Sequence, residues 1–103
     1  MNTNRQYLAG YFDGEGCIQV RVVERQTKTS CTVSIDVSQK GGIGLDGFKR
    51  RYKGNIYGPN AKGVFNWRCN GAEAIKFLEE VLPLLTVKHD KAKEAIELWD
   101  KYH

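Results

Sequence analysis

The sequence runs to 103 residues, 41% hydrophobic and 27% charged, with a formal net charge of +4. This length and composition describe one folded domain, residues 1–103, and exclude a disordered chain; no apolar run approaches the roughly 20 residues of a membrane span, and the polar start Met-Asn-Thr-Asn-Arg-Gln is not that of a secretory signal peptide. Three widely spaced cysteines, Cys17, Cys31 and Cys69, with no C-x-x-C pair, argue against a zinc site or a disulfide scaffold and for reduced thiols.

In chain order, a first helix is predicted over 4–13. Thr3 and Gln6 stand at capping-box spacing, and Leu8, Tyr11 and Phe12 share a face. Residues 17–24 alternate, with Ile18, Val20 and Val22 opposed by Cys17, Gln19, Arg21 and Val23. After the polar turn "RQTKTS", residues 31–39 alternate again, with Cys31, Val33, Ile35 and Val37 opposed by Thr32, Ser34, Asp36 and Ser38. Two such strands make an antiparallel hairpin with one apolar face. A glycine-rich connection, 41–47, leads into a short basic helix, "LDGFKRRYK", ending near Gly54. "NIYG", a turn at "PNAKG" and "VFNWRCN" form a second hairpin, with Phe65, Trp67 and Cys69 inward and Asn66 and Arg68 outward. Asn70, with Glu73 at the box position, caps a helix whose apolar set is Ile75, Leu78 and Leu82, and Pro83 ends it. A last helix from about Lys88 is expected to bury Ala92, Ala95, Ile96 and Trp99.

The order is αββαββα(α). Helices on one face of a four-stranded antiparallel sheet make an α+β domain. The other face then carries Gln19, Arg21, Arg25, Thr32, Ser34, Asp36, Lys62, Asn66 and Arg68, residue types that read base edges and hold phosphates. Residues 1–70 hold 11 Lys/Arg against 5 Asp/Glu, and residues 71–103 hold 5 against 7. The basic excess therefore falls on the part that reads as sheet, which points to nucleic acid; a solvated basic surface is the alternative.

Chemistry concentrates in "LAGYFDGEG", residues 8–16. Gly10 and Gly14, four apart, let two helix backbones approach closely. If two copies of this helix meet, their C-terminal ends bring free carbonyls and carboxylates together. Asp13 is placed to accept hydrogen bonds from backbone amides, and Glu15 to point out of the interface. Neighbouring carboxylates repel unless a cation joins them, and a hard divalent ion with oxygen ligands suits the set. The same residues also describe an ordinary surface turn after an amphipathic helix. "GIGLDG", residues 42–47, is a literal G-x-G-x-x-G, but no parallel βαβ unit and no acid about 20 positions later accompany it, so dinucleotide binding is set aside. His89 and His103 lack neighbours at ligand spacing and read as surface histidines. Tyr11, Phe12, Trp67 and Trp99 read as core.

"LAGYFDGEG" resembles the signature of the LAGLIDADG homing endonucleases. Leu8, Ala9, Gly10, Asp13 and Gly16 match it letter for letter, and Glu15 replaces its second acid conservatively. "DVSQK" resembles the family's strand end with its Gln, here Gln39, and "LPLLTVKHDKA" resembles the segment carrying its active-site Lys, here Lys88. The resemblance implies a saddle-shaped sheet lying along the major groove of double-stranded DNA. It implies a sequence-specific, Mg²⁺-dependent endonuclease (or one using another hard divalent ion such as Mn²⁺), acting without a membrane. With one motif per chain, a homodimer is expected, cutting a roughly palindromic site. Leu8, Ala9, Gly10, Asp13 and Gly14 would form its interface. Glu15 and the Gly14 carbonyl would bind the metal, Gln39 would position water or metal, and Lys88 would stabilise charge on the phosphate. Lys40 joins the DNA-facing set as the only cation near Gln39. Family members often carry a second basic residue after that Gln, where this chain has Ile43; the alternative is a non-cleaving DNA- or RNA-binding module, a maturase or repressor. The implied address is intracellular, in a bacterial or phage-infected cytoplasm or an organelle.

Overall fold

The computed structural model describes residues 3–103. The elements run α1 (Arg5–Glu15), β1 (Gly16–Glu24), β2 (Thr29–Lys40), α2 (Leu45–Tyr52), β3 (Asn55–Tyr57), β4 (Val64–Asn70), α3 (Gly71–Val81), a 3₁₀ turn (Leu82–Leu84) and α4 (His89–Tyr102). The four strands form one antiparallel sheet in the order β1-β2-β4-β3. This is the α+β architecture that the alternation predicts.

Three local details differ from expectation. The cap of α1 is Asn4, whose Oδ1 accepts from the Tyr7 amide at 3.1 Å, so Thr3 and Gln6 do not form the box. The helix also runs on to Glu15. Asn70 does occupy the N-cap of α3, but its side chain makes no capping bond; Glu73 instead accepts from the Cys69 thiol at 3.9 Å. Val22 is 39% exposed rather than inward; it lies on the edge strand β1, while its partner Cys31 on β2 is buried.

The core lies between the sheet and the helices. Cys31, Val33, Ile35 and Val37 of β2 and Trp67 and Cys69 of β4 are buried against Leu8, Ala9 and Phe12 of α1, Phe48 of α2, Ala74, Ile75, Phe77 and Leu78 of α3, and Ala92 and Ala95 of α4. Ile96 and Trp99 pack on it half-buried. All three cysteines are free. Burial, reinforced by Glu73, pushes the Cys69 thiol up to about 11, which keeps it protonated and inert. Phe77 is the hub of the aromatic packing, with ring centroids 4.6 Å from Tyr52, 4.9 Å from Phe12 and 5.5 Å from Trp67. Gly16 ends α1 where there is no room for a side chain: a Cβ there would lie 2.3 Å from the Phe12 ring.

Truncating the hub leaves a cavity that rigid elements cannot close. Phe77→Ala is expected to lower the unfolding free energy by about 3–5 kcal/mol, read from urea denaturation.

Candidate functional site

Two regions carry the polar residues singled out by the sequence. The first is the C-terminal end of α1. Helix geometry leaves its last carbonyls without intrahelical partners and concentrates partial negative charge there. Asp13 turns back from this end to the loop entering α4. Its Oδ2 accepts from the Thr86 and Val87 amides, both at 3.1 Å, and its Oδ1 from the Lys88 amide at 2.9 Å. The Lys88 ammonium closes the loop by donating to the Asp13 carbonyl at 2.8 Å. Burial alone would raise the Asp13 carboxyl; the three amides and the Lys88 charge outweigh it and hold the group below its ordinary value. Lys88 is thereby fixed over the end of the helix that Glu15 terminates, and Glu15 itself is exposed.

The other α1 residues divide between the inside and the outside of the subunit. Leu8 and Ala9, expected at an interface, have no exposed surface and belong to the subunit's own core. Asp13 is engaged with residues 86–88. Gly10 and Gly14 are exposed, and a Cβ at either would meet nothing within 4 Å. Nothing within the subunit requires these two residues to be small.

Gln39 shares the inner face of β2 with Val37, beside α1. Its Oε1 is shut from solvent without a hydrogen-bond partner among the described residues. It lies against Gly44, where a Cβ would stand 3.7 Å from both Gln39 Oε1 and the Tyr7 hydroxyl. No hydrogen bond or ion pair among the described residues joins Gln39 to Glu15 or Lys88. The structure brings Lys88 to the end of α1 that Glu15 terminates, and sets Gln39 on β2 two residues beyond Val37, the partner of Gly16.

The second region is the outer face of the sheet. Register places Arg21 opposite Thr32, Gln19 opposite Ser34, and Asp36 opposite Arg68. Lys40 ends β2 on this face, while Arg25 and Lys62 lie in the turns beyond the strands. Ser34 Oγ donates to Gln19 Oε1 at 3.5 Å, and Ser38 Oγ to Asn66 Oδ1. Ser38, Asn55, Tyr57 and Asn70 also belong to this face by register. Strand alternation alone reaches Ser38 and Asn70. Tyr57 sits on a three-residue strand, too short for any period to be read.

Among the described residues no three His, Cys, Asp or Glu side chains gather at metal-binding distance, and no helix is long and apolar enough to cross a membrane. The oxygen donors at the end of α1, one carboxylate and free carbonyls, suit a hard divalent ion, but one chain supplies only part of a coordination shell.

This geometry, with a motif helix ending in an acid, a lysine fixed over it and a polar antiparallel sheet beside it, is matched among known proteins. The sequence model of the LAGLIDADG endonuclease family matches residues 8–103. The chain belongs to the LAGLIDADG homing endonuclease family. It is similar to the homing endonuclease I-CvuI, solved in complex with its target in the presence of calcium, with 28% identity and a TM-score of 0.78 over 95% of this chain and 66% of that one. The archaeal intron-encoded I-Vdi141I, solved with DNA, has 16% identity and a TM-score of 0.74 over 93% of this chain and 66% of that one. I-TnaI has 18% identity and a TM-score of 0.70 over 97% and 74%; at these lower identities the likeness is one of fold. The chain thus spans about two thirds of I-CvuI. No curated protein sequence matches it.

The Asp13 contacts make a pH-sensitive tie. A carboxyl held below its ordinary value contributes fully above that value and loses its contribution as pH falls through the lowered one. Asp13→Ala is therefore expected to cost about 1–3 kcal/mol at pH 7, toward the low end because the pair is only half-buried. In urea titrations the gap from wild type should shrink as the medium is acidified below the ordinary carboxylate range.

Proposed function

We propose that two copies of this chain pair through the outer face of α1 and cleave both strands of a roughly palindromic DNA site. The fixing of Lys88 over the acid-bearing end of α1 carries this reading. A solvated lysine at a helix start has no need of such a restraint, whereas a group that must meet a phosphate gains from being held in place. Gly10 and Gly14 offer a bare strip of helix for a second copy. Pairing there would set two Glu15 carboxylates and two sets of free carbonyls close together. The partial shell of one chain would become a shared one.

In this assembly the outer sheet faces lie in successive stretches of the major groove. Arg21, Arg25, Lys40, Lys62 and Arg68 would meet DNA, with Gln19, Thr32, Ser34, Asp36 and Asn66 among them. Glu15 and the Gly14 carbonyl would hold a divalent ion such as Mg²⁺ or Mn²⁺. Such an ion, when bound, supplies an activated water and charge compensation on the scissile phosphate. Lys88 places an ammonium where phosphate charge develops. Gln39 orients water from the inner edge of β2; its unpartnered Oε1 is available to accept a hydrogen bond once its side chain turns outward. Ile43, 80% exposed, stands where a second basic residue is common in the family, and it favours a second reading in which the chain binds DNA without cutting it.

Incubation with a randomised duplex library and Mg²⁺, followed by sequencing of cut ends, separates the two. Cleavage at a defined palindromic site is expected, and Glu15→Gln should reduce it by at least about a thousandfold while changing affinity by less than about tenfold. Salt-sensitive binding without cuts in the wild type would favour the second reading, and cutting by Glu15→Gln would remove the acid from its role.

A further inference from the structure

One row of the outer sheet face carries an arrangement that a phosphate contact does not need. Arg68 on β4 lies opposite Asp36 on β2 and Asn55 on β3. Trp67 and Cys69, its neighbours along β4, are buried, so strand alternation projects Arg68 outward. A guanidinium nitrogen stands 4.0 Å from the Asp36 carboxylate, and the guanidinium lies 5.7 Å from the centre of the Tyr57 ring. Tyr57 pairs with Asn66, two residues along β4, and so meets Arg68 on the diagonal. The side chains of Arg68 and Asp36 are 50% and 25% exposed.

A separation of 4.0 Å is too long for a hydrogen bond. Asp36 therefore steers the guanidinium by charge, and Tyr57 supports it from the side by a cation–π contact. Among the described residues no hydrogen bond uses its N–H groups. The fork is thus aimed but unspent. An arginine that serves only to neutralise phosphate gains nothing from this: a carboxylate beside it repels the backbone and lowers affinity for every sequence. The same carboxylate becomes useful when the target is a base edge. Guanine presents O6 and N7 as two acceptors to a guanidinium fork, and its paired cytosine presents an N4 amino group, the one major-groove donor of that pair and the group a carboxylate can meet favourably. Adenine at the same place would set its N6 donor against the fork.

We infer that Arg68 reads a guanine of a G·C pair in each half-site, and that Asp36 is a positioning residue that aims it and discourages phosphate contact. The inference rests on the proposed docking of this face in the major groove. It predicts opposite effects of the two side chains on affinity, which a purely basic surface would not produce.

The test is selection of the full-length protein on a randomised duplex library with Ca²⁺ in place of Mg²⁺, followed by titration of the selected site and of an unrelated duplex. Wild type should select G·C at one symmetry-related position per half-site, and Arg68→Lys should lose that preference by about tenfold or more while other positions persist. Asp36→Asn should bind the unrelated duplex more tightly and discriminate G·C less. The inference is overturned if both variants select the same bases as wild type. It is also overturned if Arg68→Ala weakens all sequences equally and lowers the salt slope by about one. A wild type with no salt-sensitive DNA affinity overturns the docking as well, which distinguishes the two failures.

Discussion

Three amide hydrogens meeting one carboxylate hold this molecule's site together. Asp13 receives the Thr86, Val87 and Lys88 amides, and Lys88 answers by donating to the Asp13 carbonyl. The contacts span more than seventy residues of sequence and join the end of α1 to the start of α4. Without them the α4 entry loop would leave its amides to water, and Lys88 would be one more solvated lysine. The clasp explains why the two acids of the motif differ in role. Asp13 is consumed inside the subunit, and Glu15, two residues on, is left free at the surface.

The same division of labour runs through α1. Leu8, Ala9 and Phe12 fill the core and leave the opposite side of the helix nearly bare at Gly10 and Gly14. Such a helix is poorly suited to a monomer's surface, where Ala would be the better residue by roughly 1 kcal/mol at each glycine. It suits a close neighbour. β2 is divided in a similar way: Gln39 faces inward toward Tyr7 and Lys40 faces outward.

Much of this was legible in the residues. The alternation of 17–24 and 31–39 gave the hairpin and its two faces, and Phe65–Cys69 gave the inner side of β4. Spacing could not settle which of several neighbouring polar groups caps a helix: Asn4 displaces Thr3, and Glu73 turns to a thiol rather than to the Asn70 amide. Such choices depend on tertiary neighbours. Asp13 accepts backbone amides as its place in the motif predicts, but those amides lie at 86–88, a pairing that no local pattern encodes. Motif identity gives no helical phase and so groups Leu8 and Ala9 with the glycines; burial separates them. The aromatic cluster around Phe77 is legible only in part, because Phe48 and Tyr52 of α2 meet Phe77 of α3 across a long separation in sequence.

The overhang of the β1–β2 hairpin has a mechanical side. From Thr29 to Val33, β2 has β1 on one edge and no β4 on the other. A two-stranded ribbon twists more readily than a wide sheet. The domain thus joins a four-stranded base near the motif helix to a two-stranded tip bearing Arg21 and Arg25. A surface built this way can hold its broad end in one shape while the twist of its narrow end adjusts to the curvature of whatever it lies upon.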